Sequence, residues 1–288
     1  MDRDEIETVA LRWLRWLLIA AFLVVTVFPF YYMLVLSVRP IERVLLDPGG
    51  LIVPLKELTF STYAQVLKSA DHGGRGFLEF IRNSGLVALA AAALTLVVSI
   101  PGAYAVSRLR FFGRRQIDFL FLAVYLFPSI VIAIPLFVVF TRAGLRGSLV
   151  GLVLVYISQT VPVSVYMLRN YFETIPVSLE ESAAIDGAGR LGVIRRISLP
   201  LAAPSVMAVA LYDFMIAWNE YLFALLFMLD RPDRWTVSLG LSQLTNGVEV
   251  PKTVLMAGSV ILTVPIVLLF FASERLLTEG LTAGAEKG

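Results

Sequence analysis

The feature that most constrains this chain is a succession of six long apolar blocks, at residues 17–38, 85–106, 117–140, 148–168, 204–229 and 254–273. A helix needs roughly 20 residues to cross about 30 Å of hydrocarbon, and each block meets or approaches that length. Backbone polar groups cannot stay unpaired in lipid, so such blocks must be helical. The period-two alternation of a membrane β-barrel strand is absent. Composition agrees, with 58% apolar and 16% charged residues against about 45–50% and about 25% in soluble domains. The mean hydropathy is +0.81. The expected fold class is therefore all-α integral membrane, with six transmembrane helices.

The first block is about 22 residues long, beyond the roughly 7–15 of a secretory signal core. It reads as a retained span after an N-terminal segment, 1–16. The six-span domain covers 17–273 and a tail follows at 274–288. Pro29, Pro101, Pro128, Pro135, Pro162 and Pro265 fall within blocks, which membranes tolerate where neighbours satisfy the freed carbonyls. Ala90 to Ala93 are small enough for close helix approach. The connection 39–84 reads as a long polar loop, and 169–203 as long and helix-prone. An even number of spans puts both termini on one side. Lys and Arg number 13 on that side and 11 on the other. Short loops count most, so the cluster Arg108, Arg110, Arg114 and Arg115 favours an inside location for the termini and for loop 107–116.

Several chemistries are disfavoured. There is no cysteine and a single histidine, His72, so disulfides are excluded and a transition-metal site is not expected. Basic residues form no stripe, which argues against nucleic acid. No G-x-x-x-x-G-K-[ST] string occurs, and no nucleophile motif suggests an enzyme.

The most informative stretch is 176–204, PVSLEESAAIDGAGRLGVIRRISLPLAAP. Pro176 stops helix upstream. Ser178 followed by Glu181 has the spacing of a capping box. Ser182, Ala183 and Ala184 are small, and Gly187 offers a left-handed helix end. A second short helix is expected over about 191–197, carrying Arg195 and Arg196, with Leu199-Pro200 breaking it. Pro204 suits the first turn of the next span. Together these predict a helix–turn–helix at the membrane surface.

The string Glu181-Ser182-Ala183-Ala184-Ile185-Asp186-Gly187-Ala188, followed by Ile197 and Leu199-Pro200, resembles the EAA loop of ABC importer permeases. It departs at Ser182, where the family usually has alanine. Pro29 with Ser37 and Pro40, Phe80-Ile81-Arg82-Asn83-Ser84, the basic run Tyr104 to Arg114, and Trp218-Asn219-Glu220-Tyr221 resemble segments of the carbohydrate-importer branch, in particular the shorter six-span subunit of maltose-type systems. The resemblance covers about residues 14–277. It implies a type I importer permease fold with a cytoplasmic coupling helix, in a bacterial cell membrane, with both termini cytoplasmic. It further implies a second permease subunit as heterodimer partner, two ATPase subunits holding ATP and Mg, an extracytoplasmic solute-binding protein, surrounding lipid, and a sugar as solute. No cofactor is expected on this chain. The coupling residues it implies are Glu181, Ser182, Ala183, Ala184, Asp186, Gly187, Arg195, Leu199 and Pro200. For Glu181, capping its own helix and pairing with a basic partner group both remain open.

Charged groups within spans are costly, roughly 2.5–3.5 kcal/mol each at mid-helix, and usually face a water-lined path or a helix partner. The fifth block carries Asp213, Asn219 and Glu220, and on an unbroken helix Asp213 and Glu220 share a face. With Trp218 and Tyr221 these are candidates for the translocation path. Tyr212, Ser158, Gln159 and Thr160 add aromatic and hydroxyl-binding groups. Other cargo (polyamine, phosphate, amino acid) fits the same machine. An ion-coupled secondary transporter is a weaker alternative, because no paired halves are visible.

Overall fold

The computed structural model describes residues 3–245 and 250–285; the side chains of residues 3–10, 115, 118, 122, 125 and 275–285 lie outside that description. Arg115 of the basic loop and most of the 274–288 tail therefore lie outside it too. The regular structure of the described residues is entirely helical, without strands. They divide into two compact units, Met1–Gly76 with Gln243–Ile261, and Phe77–Ser242 with Leu262–Gly288.

The first unit holds α1 (Arg3–Ser37), α2 (Ile41–Leu46) and α3 (Ser61–Leu67). Helix α1 carries Pro29 inside, and its side chains from Leu11 to Tyr31 are exposed, Trp13, Phe22 and Val25 among them. Such a helix is stable only in an apolar solvent or against another subunit. The stretch read as a loop is ordered onto the end of α1. Tyr31 and Tyr32 donate hydroxyl protons to the carbonyls of Leu51 and Pro48 at 2.6 and 2.7 Å. Tyr63 donates to Ser37 Oγ at 2.7 Å. Buried Arg39 pairs with Asp47 at 2.9 Å and donates to Gly50 O at 3.0 Å.

The second unit is built on α4 (Phe77–Arg108), α7 (Leu149–Thr174) and α11 (Ala203–Asn219), which pack on one another. Helix α5 (Arg114–Leu126) lies against α7, and α12 (Leu222–Met228) against α6 (Ser129–Arg142) and α7. The short helices α8 (Val177–Ile185), α9 (Arg190–Val193) and α10 (Leu199–Leu201) connect α7 to α11. Helices α13 (Val237–Thr245) and α14 (Lys252–Ala285) complete the chain.

Helix α4 shows why this bundle needs a membrane. Along its middle, from Ala88 to Ala103, the buried residues are all small: Ala88, Ala91, Ala92, Thr95, Ser99 and Ala103. On the opposite face Leu86, Leu89, Leu94, Val97 and Val98 are exposed. Small residues let backbones approach where apolar burial supplies no drive. The seam also carries Thr95 and Thr160, whose hydroxyls meet at 2.7 Å. Of the alanine run, Ala91 and Ala92 lie in the seam and Ala93 is exposed. Ala91→Leu should overpack this seam at a cost of about 1–3 kcal/mol, read as a lower melting temperature in detergent. Leu89→Ala, on the exposed face, should be near neutral.

The all-helical membrane class holds, and not every apolar block is one continuous helix. Four described helices are long and apolar enough to cross alone: Leu11–Ser37, Phe77–Arg108, Leu149–Thr174 and Lys252–Glu274. The bent pair Arg190–Leu201 and Ala203–Asn219, turning by 78°, makes a fifth if counted as one span. The third apolar block is two helices, because Pro128 excludes helical geometry at Phe127 (φ −81°, ψ 125°). The fifth is divided after Asn219, where Glu220 is extended (ψ 130°). Pro101, Pro135 and Pro162, by contrast, lie inside continuous helices.

Candidate functional site

Helix α7 ends at Thr174, and Ile175 and Pro176 are both extended, so α8 starts as a new element. The capping-box expectation is corrected. Helix α8 begins at Val177, with Pro176 as its cap residue and no side-chain capping bond. Ser178 lies inside the first turn, where its carbonyl accepts from Ser182 Oγ at 2.8 Å. Glu181 is thereby released from capping and is exposed.

Gly187 does what was expected of it. Its φ is +85°, a region that costs other residues about 1–2 kcal/mol. Its N–H donates to Ala184 O at 3.1 Å, and the N–H of Ala188 to Ala183 O at 3.0 Å. This pair of bonds is the Schellman arrangement, which closes a helix rigidly. Around the turn Ser182, Ala184, Asp186 and Gly187 are exposed and Ala183 is half-buried. Ile185 is 87% and Leu191 66% exposed, so apolar side chains flank the turn on both sides. Arg195 and Arg196 line a shallow recess with Leu191 and Gly192.

The second short helix does not stop at Leu199-Pro200. After α9 the chain forms a π turn, Ile194–Ser198, and runs on into α10. Pro200 sits in the first turn of α10 and does not end the helical run. The chain bends at Ala202, and Pro204 occupies the first turn of α11 as expected. Leu199 is half-buried and Pro200 exposed.

One residue escaped sequence reasoning. Glu180, next to Glu181, is buried. Its Oε1 accepts from Arg108 Nε at 3.0 Å and from Ser198 Oγ at 3.1 Å. Its Oε2 accepts from Tyr104 OH at 3.0 Å. Arg108 Nη2 also donates to Ile175 O at 2.6 Å. Two adjacent glutamates on a helix must point to different sides, but only the partner Arg108 decides which one faces inward.

The candidates of the fifth block separate into two groups. Asp213 is buried on α11, where its Oδ1 accepts from Ser164 Oγ of α7 at 2.7 Å. Trp218 is buried, stacks on Phe214 at 5.5 Å and donates from Nε1 to Leu262 O at 2.9 Å. Glu220 occupies the break between α11 and α12. It accepts from Tyr156 OH at 2.8 Å and from the N–H groups of Phe223 and Ala224 at 2.9 and 3.1 Å. A carboxylate there satisfies orphan donors and complements the positive end of α12. Asn219 and Tyr221 are exposed. The shared face expected for Asp213 and Glu220 required an unbroken helix, and the break removes that premise. A cleft of about 230 Å³ lies nearby, lined by Ser129, Ser158, Gln159, Tyr212 and apolar residues including Phe127 and Phe223. Thr160 is buried against Thr95 instead. In the connection after α12, Arg231 bonds Asp233 at 3.2 Å and holds that carboxyl below the usual range.

Taken together, these elements define a multi-pass, all-helical membrane protein with a rigid, exposed, apolar-flanked turn. Residues 96–282, well over half of the chain, match the family described as binding-protein-dependent transport system inner membrane component, and the chain belongs to that family. It is 37% identical over 271 residues to the inner membrane ABC transporter permease protein YcjP of Escherichia coli, covering 94% of each chain. It is 37% identical over 269 residues to the trehalose/maltose transport system permease protein MalG of Thermococcus litoralis, covering 92% of this chain and 93% of that one. Its fold is shared, at a TM-score of 0.79 and 23% identity, with a chain of a bacterial ABC transporter involved in the import of the acidic polysaccharide alginate. That likeness covers 96% of this chain and 98% of the other. The chain is thus an ABC transporter permease, a transport component and not an enzyme.

Proposed function

We propose that the chain is one of two different permease subunits of an ATP-driven importer for a sugar or oligosaccharide. It docks a separate ATPase through segment 176–204 and forms half of the solute path. The carrying observation is the Schellman turn at Gly187, with Ile185 and Leu191 exposed on either side. Apolar side chains held outward on a rigid turn suit burial in a partner's groove. Glu181, Ser182, Ala183, Ala184 and Asp186 would line that contact, with Arg195 beside it and Leu199 and Pro200 carrying the chain back to α11. ATP and Mg would belong to the ATPase subunits, and a solute-binding protein would deliver cargo on the opposite face.

In this reading there are six crossings, with α5 and α6 together making the third and α11 and α12 the fifth. The bonds from Arg108 to Glu180 and Ile175 favour placing loop 107–116 and the docking segment on one side. That side is cytoplasmic by the basic-loop argument, and both termini follow it. A sugar is favoured over charged cargo because the cleft is lined by hydroxyl, amide and aromatic groups without a charge. The relative named for trehalose and maltose supports the same class.

The test is ATP-dependent uptake of labelled maltose or trehalose by vesicles holding both permeases and the ATPase, with the binding protein outside. Gly187→Pro forces φ to about −65° and removes the bond to Ala184. Gly187→Pro and Glu181→Lys should each lower uptake at least tenfold while membrane insertion is unchanged. Undiminished uptake in both variants would refute docking through this turn. Uptake of a charged solute alone would refute the sugar assignment.

A further inference from the structure

We infer that Glu180 is a positioning residue that fastens the docking segment to the bundle, so that displacement of the α8–α9 turn is delivered to α4 and α7. The inference rests on the proposed docking of that turn by an ATPase.

Glu180 is buried, although Ser178, Leu179, Glu181 and Ser182 around it are exposed. Both its oxygens are engaged, by Arg108 and Tyr104 from α4 and by Ser198 from the π turn. Arg108 reaches on to the carbonyl of Ile175 at the end of α7. One ion pair therefore gathers four elements. The Arg108 and Glu180 side chains are 11% and 9% exposed, so water and salt screen them little, unlike a surface pair. Breaking one partner would strand a buried charge.

The joint sits where the backbone offers least. Ile175 and Pro176 are both extended, so no helical ladder runs from α7 into α8. At the other end the chain bends at Ala202. A push on α8 would be absorbed at these two bends if nothing else held it. With the joint intact, α8 cannot swing about Pro176 without separating Glu180 from Arg108. The side chain of Glu181, one residue on, has no hydrogen bond or ion pair among the described residues and is left for the partner.

The chain has no cysteine, so with cysteine-free partner subunits introduced cysteines label uniquely. In the assembled complex in lipid vesicles, spin labels at Leu179→Cys and Val98→Cys should give a narrow distance distribution. Glu180→Gln should broaden it at least twofold, and Tyr104→Phe should broaden it less. Glu173→Gln, which loosens the exposed bridges to Arg114 and Arg169, should leave it unchanged. As a second readout, Ile216→Cys in the cleft should react with a membrane-impermeant maleimide at a rate that ATP plus vanadate changes at least fivefold. In Glu180→Gln that change should fall below twofold while the ATPase subunit still copurifies. Wild-type widths and a wild-type ATP response in Glu180→Gln and Tyr104→Phe would overturn the inference. If Glu180→Gln does not reach the membrane, Tyr104→Phe decides alone. If the unsubstituted complex itself shows no ATP response, the docking reading fails, and the label widths still decide whether the joint exists.

Discussion

Ile185→Asp should reduce copurification of the ATPase subunit at least 30-fold while the permease keeps its melting temperature. The side chain is 87% exposed in the chain by itself, so folding buries little of it and little stability can be lost. In a docked complex the same side chain would be covered. Covering an isoleucine contributes about 1.5–3 kcal/mol, and about 1.4 kcal/mol corresponds to a factor of ten in affinity. Aspartate removes that gain and adds a carboxylate that must be desolvated without a partner. A loss of about 2 kcal/mol or more is expected, the range of an interface hot spot. A conservative Ile185→Val should keep most of the affinity. Equal copurification of all three proteins would mean that the turn is not the contact.

Glu220→Ala should produce the largest loss of stability in the α11–α12 region. Its carboxylate holds the first turn of α12 through Phe223 and Ala224, and binds the hydroxyl of Tyr156, which is fully buried. Losing a helix cap costs about 1 kcal/mol. Leaving a buried hydroxyl unpaired costs a further 1–3 kcal/mol or so. The sum is about 3 kcal/mol, seen as a clear fall in melting temperature and in extractable folded protein. Tyr156→Phe leaves Glu220 its two backbone donors and should cost about a third as much. Glu220→Gln keeps an acceptor oxygen and should fall between. If Glu220→Ala matches the parent, the break is not held by this residue.

These two residues also mark how far local pattern reaches. Ile185 lies in a turn whose form follows from Gly187 and the small residues before it. The glycine is needed for a positive φ whatever surrounds it. The segment's resemblance to the coupling loop of permeases was therefore readable in the string, and its turn geometry with it. Glu220 was visible as a charge in an apolar block, and its capping role was not. The break at Glu220 contains no proline or glycine to announce it. The Glu220 carboxylate is held there by the hydroxyl of Tyr156, 64 residues earlier, which donates to it. The same holds at Pro128 in reverse: a proline was evident, but Pro101 and Pro162 looked equivalent and are spanned by continuous helix.

The amino-acid order alone determined that the chain is helical and belongs in a bilayer, because hydrocarbon admits only backbones that bond within themselves. It also determined the left-handed turn at Gly187, because that conformation is a property of one residue. Only the tertiary structure decided which of Glu180 and Glu181 faces inward, since Arg108 is 72 residues away in sequence. A buried charge takes its orientation from the partner that pairs it, and that partner is fixed by how α4 and α7 pack.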